Sequence, residues 1–137
     1  MSTTGADAYR DTAIVSADPV SLTTMLYDGA LRALKRARLH YEAGNRQRFM
    51  DEAERAQLIL GELLASLDME AGGEIAANLS GIYAYCIRQV IEATLGDVDK
   101  IDDVERHISR IAAAWKEATA GIDIDELLQQ PRREGAA

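Results

Sequence analysis

The chain has 137 residues, a formal net charge of -8 at pH 7 and one cysteine, Cys86. A single domain of this length buries roughly two-thirds of its unfolded surface. The acidic balance argues against nucleic acid and anionic membrane, which want a basic patch, and favours a basic or apolar protein partner. One cysteine allows no internal disulfide and suits a reducing compartment.

Hydrophobic residues make up 47% of the chain and aromatic residues only 5%, with two prolines. Alanine and leucine dominate, and β-branched runs are few, so the fold class reads as all-α. No apolar run approaches the ~20 residues of a spanning helix.

Residues 1–17 read as a flexible, polar N-terminal segment that docks through Tyr9, Ile14 and Val15. It lacks a basic stretch followed by an apolar one, so no secretory signal is read there. Asp18-Pro19 is a helix start, with Asp as cap and Pro at the first helical position. The first helix is predicted to reach about Ala43, with Leu22, Leu26, Gly29, Ala33 and Ala37 on one face. Gly44-Asn45 ends it.

The second helix is predicted from about Arg46 to Leu67. Phe49, Ala53, Ala56, Leu60, Leu63 and Leu67 form a heptad seam. Gly72-Gly73 then reads as the turn into a third helix, predicted from about Glu74 to Leu95. Its stripe is Ile75, Leu79, Ile82, Cys86, Val90 and Ala93, and Glu74 suits the positive helix end. Asn78, Gly81 and Tyr85 share a flank beside that stripe, which a helix that only packed a core would not need.

Gly96 to Asp99 closes the third helix. The fourth, about Lys100 to Thr119, carries Ile101, Val104, Ile108, Ile111, Trp115 and Ala118. Residues 122–137 read as a short fifth helix around Leu127 and a disordered tail. Similar helices joined by short loops pack as antiparallel neighbours, so residues 18–121 are expected to form an up-down four-helix bundle.

No catalytic constellation is present. His40 and His107 stand on different helices, neither in a Glu-x-x-His arrangement, so a di-metal bundle is disfavoured. Cys86 lies on the core stripe, where it behaves as a small hydrophobe. Asp97, Asp99, Asp102 and Asp103 lack EF-hand spacing and read as capping and solvated residues. The expectation is a non-enzyme with no metal and no cofactor.

The third helix carries more apolar surface than a bundle helix needs, because Ala84, Ile87, Ile91 and Leu95 continue round a second side. The second helix adds Leu58, Gly61 and Ala65 outside its seam, and the first adds Tyr27, Leu31 and Leu34. Either these residues are covered within the bundle, or those of the second and third helices line one exposed groove for a partner's amphipathic helix.

Several segments resemble the flagellar export chaperone family FliS. Ser16-Ala17-Asp18-Pro19 and Met25-Leu26-Tyr27-Asp28-Gly29-Ala30 are similar to its first-helix signatures. Leu67-Asp68, Gly72-Gly73-Glu74-Ile75-Ala76, Asn78-Leu79, Ile82-Tyr83 and Tyr85 follow its central motif, and Ala114-Trp115 falls where its fourth helix ends. Asp18 stands for the family's serine, Thr94 for its common asparagine, and Gln89 for a second basic residue after Arg88.

The resemblance implies a helical bundle in the bacterial cytosol that binds the C-terminal segment of flagellin. It would prevent premature polymerisation, keep the client competent for type III export and present it to the export gate. It also implies that the N-terminal segment lies over part of the client site, which by position assigns that role to Tyr9, Ile14 and Val15. The client-binding groove expected from the apolar excess is Leu58, Gly61, Ala65, Ala84, Ile87, Ile91 and Leu95. No nucleic acid and no membrane insertion are expected, and the chain would be a monomer or weak homodimer. The alternative reading is an adaptor or regulator bundle that binds another protein's amphipathic helix.

Overall fold

The computed structural model describes residues 18–122. Four helices follow one another: α1 (Pro19–Glu42), α2 (Arg46–Ala65), α3 (Met69–Thr94) and α4 (Lys100–Thr119). Each packs on its chain neighbours, and α4 closes the ring against α1. This is the antiparallel four-helix bundle expected from the periodicity. The proposed fifth helix, the tail and the N-terminal anchors Tyr9, Ile14 and Val15 lie outside the described residues.

Side chains from the sequence itself start three of the helices. Asp18 accepts from the Ser21 backbone N–H at 3.0 Å, with Pro19 as the first helical residue. Asn45 accepts from the Arg48 N–H at 3.1 Å, and Asp68 from the Glu70 and Ala71 N–H groups at 3.1 and 3.0 Å. Each oxygen satisfies donors that the first helical turn leaves free. The first turn of α4 instead carries Asp102 and Asp103, whose charge suits the positive helix end.

The connection between α2 and α3 adds a capped turn ahead of the glycine pair. Asp68 caps a first turn that begins at Met69, the chain breaks at Gly73, and the rest of α3 runs on from Glu74 as expected. Gly73 lies inside this element as a kink, with φ 50° and ψ -129°, which an L side chain rarely adopts. Gly72 is required by space: a Cβ there would stand 2.6 Å from the Ala76 Cβ. One glycine therefore bends the helix, and the other lets the bend close. With Asp68 capping so early, α2 ends at Ala65 and Leu67 becomes a half-buried turn residue.

The core contains Leu34 from α1, Phe49, Leu60 and Leu63 from α2, Tyr83 and Val90 from α3, and Ile101 and Ile108 from α4. Alanines 30, 33 and 37 of α1 and 53 and 56 of α2 are buried with them. Such small residues let two helix backbones approach closely, and α1–α2 is the most extensive pairing of the bundle.

Two core expectations fail. Ile75 is 73% exposed. It follows the Gly73 kink directly, so it does not keep the register of the rest of α3. Tyr83 replaces it as the large buried residue of that helix. Ala118 is exposed because it sits in the last turn of α4, beyond Trp115. Leu79 and Ile82 pack on the core while remaining half-buried.

Candidate functional site

Two side-chain networks hold the helices that any partner would meet. At one end of the bundle, the Tyr27 and Tyr83 hydroxyls approach to 2.6 Å across the core. Burial raises both phenols above the ordinary value of 10.0. Trp115 stacks edge-on to Tyr27 at 6.3 Å, and its indole N–H donates to Thr24 Oγ1 at 2.9 Å. Lys116 pairs with Asp28 at 2.8 Å, so α4 is fixed to the first half of α1 by adjacent residues. At the opposite end, Arg38 reaches Glu42, Asp99 and Asp102 and ties α1 to the start of α4.

The second network accounts for the unexplained flank of α3. Tyr85 donates its hydroxyl to Asp103 of α4 at 2.7 Å, and Gln89 donates to the same carboxylate at 3.2 Å. The Tyr85 hydrogen bond, joined by those from Gln89 and by nearby His107 and Arg106, holds Asp103 below the usual carboxylate range. The His107 ring packs edge-on to Tyr85 at 5.5 Å. Asn78, Gly81 and Tyr85 line one shallow groove of about 550 Å³ with His107. The flank thus binds α3 to α4 through Tyr85 and leaves an open trough beside it.

A more apolar basin of about 400 Å³ lies at the end of the bundle where α1 begins. Leu67, Ile75 and Leu79 line it, with Tyr27, Tyr83 and Trp115. The exposure of Ile75 is exposure on the rim of this basin. Residues on both sides of the Gly73 kink, Asp68, Ala71 and Gly72 before it and Ile75 and Ala76 after it, line the basin.

Cys86 is fully buried. Desolvation pushes its thiol up to about 12, with a smaller contribution from the Asp103 charge. The thiolate is the nucleophile, so Cys86 is inert in the folded protein. Iodoacetamide at pH 8 is expected to leave the native chain unmodified and to alkylate Cys86 rapidly once denaturant is added, as read by intact mass.

The residues expected to form the client groove divide into two groups. Leu58, Gly61 and Ala65 stand in the second half of α2, near the turn into α3. Ala84, Ile87, Ile91 and Leu95 stand in the second half of α3 and just past its end, away from that turn. Leu58, Ile91 and Leu95 are 64%, 40% and 81% exposed. Ala84 and Gly61 are half-covered, and Ile87 packs on the core cluster. Four of the seven, Leu58, Ala65, Ile91 and Leu95, are exposed. The basin and the Tyr85 trough are concave features that hydrophobic periodicity did not locate, because both depend on how neighbouring helices end.

No described helix is long and apolar enough to cross a membrane. The family profile of Flagellar protein FliS matches residues 2–121. The Flagellar secretion chaperone FliS of Salmonella typhimurium is 42% identical over 118 residues, covering 85% of this chain and 87% of its own. That of Escherichia coli is 35% identical over 133 residues, covering 93% and 96%. That of Bacillus subtilis is 30% identical over 112 residues, covering 81% and 83%. With identity spread across the whole bundle, the chain belongs to the FliS family of flagellar secretion chaperones.

Proposed function

We propose that this chain binds the C-terminal segment of flagellin in the bacterial cytosol, prevents its premature polymerisation and passes it to the flagellar type III export gate. Membership of a flagellar secretion chaperone family supports the client class. The observation that supports the contact surface is the exposure of Leu58 on α2 and of Ile91 and Leu95 at the end of α3. Large exposed apolar side chains grouped on one face mark a partner site.

The client's apolar side chains bury along the α2–α3 strip, with Gly61, Ala65 and Ala84 as its low points and Ile87 as its floor. A segment that is disordered when free becomes helical there, so part of the interaction energy goes into ordering it. Affinity comes from apolar area, and salt has little effect. In the free chaperone, residues 1–17 shield part of this surface through Tyr9, Ile14 and Val15, and the client displaces them.

Leu58→Glu and Ile91→Glu each place a charge where the client buries apolar surface. Each is expected to weaken binding of a flagellin C-terminal peptide by more than about tenfold, a change of ~1.4 kcal/mol. The far-UV circular dichroism of the chaperone should not change, because both residues are exposed. Ile87 is a poor probe because it packs on the core. Titration calorimetry with that peptide is the measurement. Unchanged dissociation constants for both variants would remove the strip as the client site.

A further inference from the structure

Among the described residues, the α1–α2 groove is a concave surface whose charge opposes that of the chain. Its volume is about 320 Å³, and Leu26, Ala33 and Ile59 contribute apolar surface to it. Gly29 lies between them, and even a Cβ there would come within 3.3 Å of the Ile59 side chain. Arg32, Arg36 and Arg55 line the same groove. Its one carboxylate, Asp28, is drawn off by Lys116 of α4. Arg55 pairs with Glu52 at 3.3 Å, but among the described residues Arg32 and Arg36 form no ion pair. Met25, 43% exposed, completes an apolar and cationic surface on a chain of net charge -8.

The matching chemistry occurs in the chain itself. Ile122-Asp123-Ile124-Asp125-Glu126-Leu127-Leu128 combines four large aliphatic residues with three carboxylates, and no basic residue follows before Arg132. The segment leaves α4 at the correct place. The Ile122 N–H bonds the Thr119 carbonyl at 3.0 Å, one turn beyond the Trp115–Thr24 and Lys116–Asp28 contacts that seat α4 on α1. Asp28 touches both α4 and the groove, so the groove begins one side chain away from α4. The carboxylates stand one to four residues beyond Ile122, within up to ~14 Å of extended chain. The Arg32 guanidinium lies 4.0 Å from where a Cβ at Gly29 would stand, toward the start of α1.

We propose that residues 122–128 cross α1 and dock in the α1–α2 groove, with the Glu126 carboxylate on Arg32 and the aliphatic side chains against Met25, Leu26 and Ile59. The contact uses residues beyond the end of the family profile, at residue 121. It lies on the α1–α2 face and so stands or falls independently of flagellin binding on α2–α3.

The test is paramagnetic broadening in the full chain. A nitroxide is attached at Gln129→Cys, which is the accessible thiol because Cys86 is fully buried. The amide signals of Met25, Arg32 and Ile59 are expected to lose intensity severalfold, independently of protein concentration. Intensity should return in high salt and in the Arg32→Glu/Arg36→Glu variant. Arg32→Gln/Arg36→Gln serves as a milder second variant should the double reversal perturb the fold. Absence of broadening at the groove overturns the proposal. So does broadening that survives both arginine variants, or broadening seen only when labelled and isotope-enriched chains are mixed, which would place a second copy's segment in the groove.

Discussion

Leu60→Ala is expected to destabilise the bundle by about 2–5 kcal/mol, while Leu58→Ala, two residues away, changes stability by less than ~0.5 kcal/mol. The two leucines share a helix and a chemistry and differ only in direction. Leu60 is fully buried among residues of the core, so its truncation loses transfer energy and leaves a cavity. Leu58 points to solvent and has little apolar contact to lose. Urea unfolding monitored by circular dichroism separates the two. The contrast ties stability to the seam and leaves the exposed residue beside it free for the proposed client contact. Equal costs would mean that Leu58 is covered by part of the chain.

The second large effect is expected at the paired phenols. Tyr83→Phe should cost about 1–3 kcal/mol, because it leaves the Tyr27 hydroxyl buried without its partner. The same holds for Tyr27→Phe. The double variant Tyr27→Phe/Tyr83→Phe should cost clearly less than the sum of the two, since no orphaned hydroxyl remains. A double-mutant cycle by urea unfolding reads the coupling directly, and additive costs would show that the 2.6 Å contact contributes no net coupling. The pair also gives stability a pH dependence. Both phenols titrate above 10.0 in the folded protein, so the unfolded chain releases its protons first. Their contribution is constant below the ordinary tyrosine range and declines as pH rises past it.

The helices were legible because each segment repeats its apolar residues at helical spacing and carries its own start signal. Asp18-Pro19 and Gly44-Asn45 are read correctly from local chemistry alone. The glycine pair was read correctly as a break, while the extra turn ahead of it was not, because Asp68 acts through side-chain bonds that only the folded turn reveals. Tyr83 was missed for a related reason. Its neighbour Ile82 fits an apolar stripe better, yet the tyrosine becomes buried because Tyr27 on a distant helix accepts or donates to its hydroxyl. The Asn78, Gly81 and Tyr85 flank was visible as an excess, but its explanation required Asp103, whose position depends on how α4 packs. The exposed members of the α2–α3 strip were readable as surplus hydrophobicity.

The ring order of the helices has a kinetic consequence. Every pairing except α1–α4 joins segments adjacent in the chain, so the entropy of loop closure is small at each step. Helical domains of this local topology fold within about microseconds to milliseconds. Ribosomes add only about 5–20 residues per second. The bundle is therefore assembled long before the final residues of a much longer polypeptide emerge, and it meets that polypeptide as a finished surface rather than as a competitor in folding.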